Sequence, residues 1–153
     1  MSTLTISIAE QLKQEHAASL AVLKQLKGLV WHSGDAREDR LGWQERVAGG
    51  LSSLCSHLKA HFAFEESGGF MTEVVKALPN LASKVMHLKD DHKAILDQSE
   101  ELCRIAKEEA LTWETLPNFT VQIFSLVRRL ERHEQKETAL VQSAFADDLG
   151  MTD

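Results

Sequence analysis

The residues with most chemistry to offer lie in the run His57-Leu58-Lys59-Ala60-His61-Phe62-Ala63-Phe64-Glu65-Glu66, which sets His57, His61 and Glu65 four residues apart. At about 3.6 residues per turn, that spacing stacks the three side chains along one face of a helix, imidazole and carboxylate pointing the same way. A second His-xxx-Glu follows as His133 and Glu137, and Leu12-Lys13-Gln14-Glu15-His16 resembles Leu88-Lys89-Asp90-Asp91-His92. Four helices would each bring one inward His, and two of them also a Glu.

One His on an apolar face is more often a hydrogen-bonded core residue than a ligand, and one inward Glu is often half of an ion pair. His16, His61, His92, His133, Glu65 and Glu137 together are a different case. Burying that many carboxylates and imidazoles without partners is costly enough that a bundle this small should reject them unless a cation compensates. Imidazole with carboxylate suits Fe, Mn or Zn, and bundles that supply Glu at fixed offsets from His commonly hold two metals. A lone zinc needs only about four ligands and would strand some of these groups. His57-Leu58-Lys59-Ala60-His61 also has Leu where a zinc protease needs Glu. At about 100° per residue, His57 falls at the edge of its stripe and is a candidate fifth ligand or outer partner. His87 lies well off the stripe of His92 and would bind only through an irregular turn. His32, beside Trp31, is expected at the surface. Glu66 and Glu134 each follow an inward residue and are expected to face water, within reach of the site as extra carboxylates.

The elements that must position these groups are helices. From about Ile6 to Val30, apolar residues fall at Ile8, Leu12, Leu20, Leu23, Leu26 and Val30, with His16 inside the stripe. Gly28 and the polar run Ser33 to Arg40 mark a connection. A second helix is expected from about Leu41 to Ser67, interrupted at Gly49-Gly50 and stopped at Ser67-Gly68-Gly69. A short segment, Phe70 to Leu78, leads to Pro79. A third helix should run from Asn80 or Leu81 to about Ala110, with Val85, Leu88, Ile95, Ser99, Leu102 and Ala106 beside His92. The fourth starts near Pro117, carries Ile123, Leu126, Leu130, Leu140 and Ala144 on the face of His133 and Glu137, and ends near Asp148-Leu149-Gly150. The fold class is all-α, an up-down-up-down antiparallel four-helix bundle, as a single domain over residues 1–153. Helix one repeats in helix three and helix two in helix four, even to Leu41-Gly42-Trp43 and Leu111-Thr112-Trp113. That pseudo-two-fold repeat would gather the equivalent His residues around one axis, as two adjacent ions require.

Composition narrows the alternatives. The 153 residues are 43% hydrophobic and 26% charged with 2 Pro and 8 Gly, which suits an ordinary helical domain long enough to bury a core. A net charge of −6, with Lys and Arg dispersed among acids, argues against nucleic acid and anionic membranes as partners. No apolar run approaches a spanning helix and no signal peptide opens the chain, so the cytosol is expected. Cys55 and Cys103 are expected to be buried free thiols. The absence of Tyr excludes a tyrosyl-radical mechanism.

With Glu15-His16, His61-Phe62-Ala63-Phe64-Glu65-Glu66, Asp91-His92 and His133-Glu134-Gln135-Lys136-Glu137 in this order, the sequence resembles the hemerythrin-like, or HHE cation-binding, family over nearly its whole length. The resemblance implies a non-haem di-iron centre of two Fe ions, with histidines as terminal ligands and Glu65 and Glu137 as bridging carboxylates. Small diatomics or peroxide are the implied ligands. The family's oxygen carriers have a His-xxx-His on the third helix and a His-xxxx-Asp on the fourth. This chain has Leu88 and Leu96 to either side of His92, and Thr138 where the Asp would be. That departure favours redox reaction of iron with oxygen, peroxide or nitric oxide over stable oxygen carriage. Two function classes follow: a binding, sensing or iron-handling protein, and an enzyme with peroxidase or ferroxidase activity.

Overall fold

Periodicity in the sequence translates into four long helices and one short one. The computed structural model describes residues 3–31 and 39–148. His32, most of the first connection and the expected end at Leu149-Gly150 lie outside them. Helix α1 spans Thr3–Trp31, α2 Arg40–Glu66, α3 Phe70–Ala77, α4 Ala82–Glu108 and α5 Leu116–Asp148, with a 3-10 turn at Pro79–Leu81 ahead of α4. No strand occurs among the described residues, and none of the helices is long and apolar enough to cross a membrane. The long helices pack α1 on α2, α2 on α4, α4 on α5 and α5 on α1, a closed four-helix bundle.

Local chemistry fixes the helix ends. Asp39 caps α2, its Oδ1 accepting from the Gly42 amide at 2.9 Å. At the other end the Ser67 amide reaches the Ala63 carbonyl, and Gly68 turns the chain at φ +85°, a conformation side chains with a Cβ rarely adopt. Ahead of α5, Thr112 and Thr115 hold each other: the Thr112 amide donates to the Thr115 hydroxyl at 2.8 Å and the Thr115 amide to the Thr112 hydroxyl at 3.2 Å. Gln44 closes α4 from α2, donating to the carbonyls of Ala106 at 2.9 Å and Glu109 at 2.6 Å.

Four expectations are corrected. Gly49-Gly50 does not interrupt α2, which runs through both residues as one helix. Residues 70–77 are not a mere connector: α3 buries Phe70, Met71 and Val74 against the end of the bundle. Leu20 is 55% exposed and Ser19 takes its place inside, because a strict alternation of four and three from Leu12 through His16 passes through residue 19, not 20. Trp43 is buried in α2, donating to the Leu29 carbonyl, whereas Trp113 precedes α5 and lies outward under Arg40. The repeat therefore holds for the helices and fails in their connections.

The core has two parts. A large apolar cluster fills one end around Leu26, Trp43, Leu54, Ile123 and Leu126, and a smaller one fills the other around Ile8, Leu12, Met71, Val85 and Leu140. On α1, α4 and α5 the inward His falls between the residues given to one cluster and those given to the other, and on α2 His61 lies at the last turns of the helix, beside Phe62 at the edge of the large cluster. A polar layer thus crosses the bundle between two apolar ones.

Candidate metal centre

Each long helix brings its inward His to that layer. His61 and Glu65 come from α2, His133 and Glu137 from α5, His92 from α4 and His16 from α1. His61, His92, His133, Glu65 and Glu137 are each no more than 3% exposed. They form two groups able to hold a cation: His16, His61, Glu65 and Glu137, and Glu65, His92, His133 and Glu137. Both carboxylates belong to both groups. All six residues singled out from spacing are brought together.

The orientation of the rings carries the chemistry. The outer nitrogen Nδ1 of His61 lies 2.8 Å from Glu15, that of His92 2.9 Å from Glu66, and that of His133 3.4 Å from Asp91. An ionised carboxylate only accepts, so each ring must donate from Nδ1; the neutral ring's Nε2 then carries a lone pair and faces inward. There it meets carboxylate oxygens: His61 Nε2 is 3.0 Å from Glu65 Oε1, and His133 Nε2 is 3.3 Å from Glu137 Oε2. His92 Nε2 is 3.5 Å from oxygens of both Glu65 and Glu137. With both carboxylates ionised, lone pairs there face lone pairs and make no hydrogen bond; the Nε2 atoms of His61, His92 and His133, both Glu65 oxygens and Glu137 Oε2 are buried without a hydrogen-bond partner. Leaving so many buried polar atoms unpaired is strongly unfavourable, and a cation among them would satisfy all of them together. The donor set of imidazole and carboxylate fits iron.

Electrostatics agrees with that geometry. Burial, with Glu137 alongside, pushes the Glu65 carboxyl up to about 12 from an ordinary 4.5, so it keeps its proton at neutral pH. Burial pushes Glu137 the same way, but the rings of His133, His16 and His92 gathered around it outweigh that and hold Glu137 below the usual carboxylate range. The pair therefore retains one proton between two carboxylates. Burial lowers His61, keeping its ring neutral and ready to ligate. Asp91 is held low despite its burial by Lys136, 3.2 Å away, and by His133.

His57 and His87 join neither group. His57 stacks on the His61 ring with centroids 5.6 Å apart and pairs with the buried Ser19 hydroxyl at 2.8 Å, which places it behind His61. His87 is exposed and lines a groove with Lys84, Asp90 and Asp91. Glu66 does not face open water, since it holds the His92 ring, and Glu134 is half-buried between His16, His133 and Ser19, where burial raises its carboxyl. Sequence reasoning gave no role to the three outer carboxylates as a set. Their signal was the acid beside a ligand: Glu15 and Asp91 immediately precede an inward His, and Glu66 follows an inward Glu. Phe62, also unassigned, lies flat on His92 with ring centroids 3.8 Å apart and walls the centre from the large apolar cluster.

Residues 7–145 match the family model described as the Hemerythrin HHE cation binding domain. The chain belongs to this family. No curated protein and no solved structure matches it. As a hemerythrin HHE cation-binding domain, it carries at the middle of its bundle a cluster of His and Glu suited to metal.

Proposed function

We propose that this chain is a non-haem di-iron protein that binds or reacts with oxygen, peroxide or nitric oxide, serving sensing, iron handling or redox protection. The observation that supports this most directly is the convergence of inward imidazole lone pairs and two shared carboxylates in one buried layer, all without other partners. In this reading His16, His61, His92 and His133 would each hold one ion, and Glu65 and Glu137, which belong to both groups, would be shared between the two. Bound iron supplies Lewis acidity and one-electron redox chemistry. The chain's own work is to keep the His61 imidazole neutral, fix the direction of His61, His92 and His133 through outer carboxylates, and exclude water with Phe62 and the flanking apolar layers. Residues 1–153 act as one domain, and the two buried free thiols suit the reducing cytosol.

A second reading, an enzyme with peroxidase or ferroxidase activity, is favoured by donor number. Four imidazoles and two carboxylates offer at most eight ligating atoms to two ions that take about six each, so positions remain for a reactant. Glu134, half-buried beside His16, stands where a proton would be wanted.

The test is anaerobic ferrous loading with metal counted per chain, then oxygen addition while the visible spectrum and its reversal under vacuum are recorded. Two irons that oxidise irreversibly support redox reaction, with peroxide turnover then separating enzyme from sensor. A band that disappears on deoxygenation would point to carriage instead. His61→Ala and His133→Ala should each lose at least one iron; retention of two in both variants would refute the ligand assignment.

A further inference from the structure

Three of the four inward imidazoles give their outer nitrogen to a carboxylate, and those carboxylates follow a circular order. Glu15 of α1 holds His61 of α2, Glu66 of α2 holds His92 of α4, and Asp91 of α4 holds His133 of α5. One more step, from α5 back to His16 of α1, would close the ring. Under the repeat that lays Glu65 on Glu137, the residue in the place of Glu66 is Thr138, which is exposed. His16 keeps its inward contact, Nε2 lying 3.1 Å from Glu137 Oε1, but among the described residues no carboxylate is hydrogen-bonded to its outer nitrogen. Glu134, the acid that faces His16 from the same helix, is set beside Ser19 and makes no hydrogen bond to the ring. His16 is also the inward imidazole that reaches solvent, at 15% exposure against 1% for His92 and His133.

An outer carboxylate fixes the tautomer and direction of a ligating imidazole and raises its basicity, and losing one typically costs about 10- to 100-fold in metal affinity. The position built on His92 and His133 has both imidazoles held. The position built on His16 and His61 has one. We propose that the two metal positions are unequal, that the His16 position is the weaker and exchangeable one, and that Thr138 is the reason. The proposal rests on the two-ion reading above and adds its regulation. As metal supply falls, the protein passes through a form that keeps one ion at His92 and His133, so occupancy of the His16 position follows the metal available.

Co(II), titrated into the metal-free protein under competition with a chelator, tests this. Wild type should load in two steps separated by about tenfold or more. Thr138→Glu, which supplies the missing carboxylate from an exposed position, should tighten the weaker step by about tenfold and leave the tighter one unchanged. Glu66→Thr, the mirror change, should weaken the tighter step by a similar factor. Thr138→Ala, which adds no acceptor, should load like wild type, and circular dichroism checks that each variant remains helical. Two ions of equal affinity in wild type, or a Thr138→Glu variant with an unchanged ratio of steps, overturns the inequality and leaves the two-ion centre standing. Saturation at one ion per chain overturns the two-ion reading itself.

Discussion

The proton shared by Glu65 and Glu137 makes the behaviour of the centre depend on pH in a direction that can be worked out. Glu65 alone carries a folded-state value of about 12 against 4.5 when free. Below pH 4.5 it is protonated in both states. Above that pH the unfolded chain releases the proton and the folded one keeps it, so this group lowers the stability of the metal-free fold as pH rises. Glu137, held low by imidazoles, acts in the opposite sense. A cation placed between the two carboxylates does the work of the proton and must expel it. Metal affinity should therefore rise with pH around neutrality, by about tenfold per unit from this one proton. Calorimetry in buffers of different ionisation heat reads the release directly; a binding heat independent of the buffer would refute it. Because metal-free Glu65 is already neutral, Glu65→Gln should move the thermal midpoint of the metal-free protein by no more than about 2–4 °C, the equivalent of about 1 kcal/mol in a chain of this size. If the centre takes two ions as proposed, the same variant should hold fewer, as counted by metal analysis.

At the scale of the element, adjacent glycines in α2 separate propensity from packing. A Cβ on Gly49 meets nothing, whereas one on Gly50 would lie 2.9 Å from Leu29 Cδ1 and 3.3 Å from Leu26 Cδ1 of α1. Gly49→Ala should raise stability by about 0.5–1 kcal/mol through helix propensity alone. Gly50→Ala should gain less, because the α1 leucines must give way; urea unfolding of the two variants side by side decides it, and equal gains would mean that α1 yields freely. The same contrast explains what could be read in the sequence. A helix turns spacing into angle, so the inward direction of His61 with Glu65, of His133 with Glu137 and of the stripe around His92 followed from counting along single helices. Counting says nothing about what a residue on the flank of one helix meets on the next. Glu66 stands about 100° from Glu65 and was expected in water, yet that angle carries it into the seam where α4 presents His92. Glu15 and Asp91 escaped for the same reason. The short α3 was missed because eight residues ending before a proline offer too little periodicity to distinguish a helix from a connector.

Over the whole molecule, the polar layer divides the apolar interior in two, and its position makes its effect uneven. On one side lies the large cluster, which draws on every helix but α3 and whose Leu26, Leu54, Ile123 and Leu126 are wholly buried. On the other lies the small cluster, built from the first turns of α1, the last turns of α5, the start of α4 and the short α3. The larger core has many more buried apolar residues than the smaller, and the smaller meets it across the layer that carries the unpartnered Nε2 and carboxylate atoms. With a cation in place those atoms attract one another through it; without one, the remaining proton between Glu65 and Glu137 offsets only part of their repulsion. Withdrawal of metal should then loosen the small end first, since local opening begins where few buried apolar contacts oppose it. Hydrogen exchange with and without chelator gives the expected pattern. Protection should fall in Phe70–Ala77 and in the neighbouring ends of α1 and α5, while amides around Leu54 and Leu126 keep theirs. A uniform loss across the bundle would mean instead that the two cores open as one unit and that the centre pins the whole molecule.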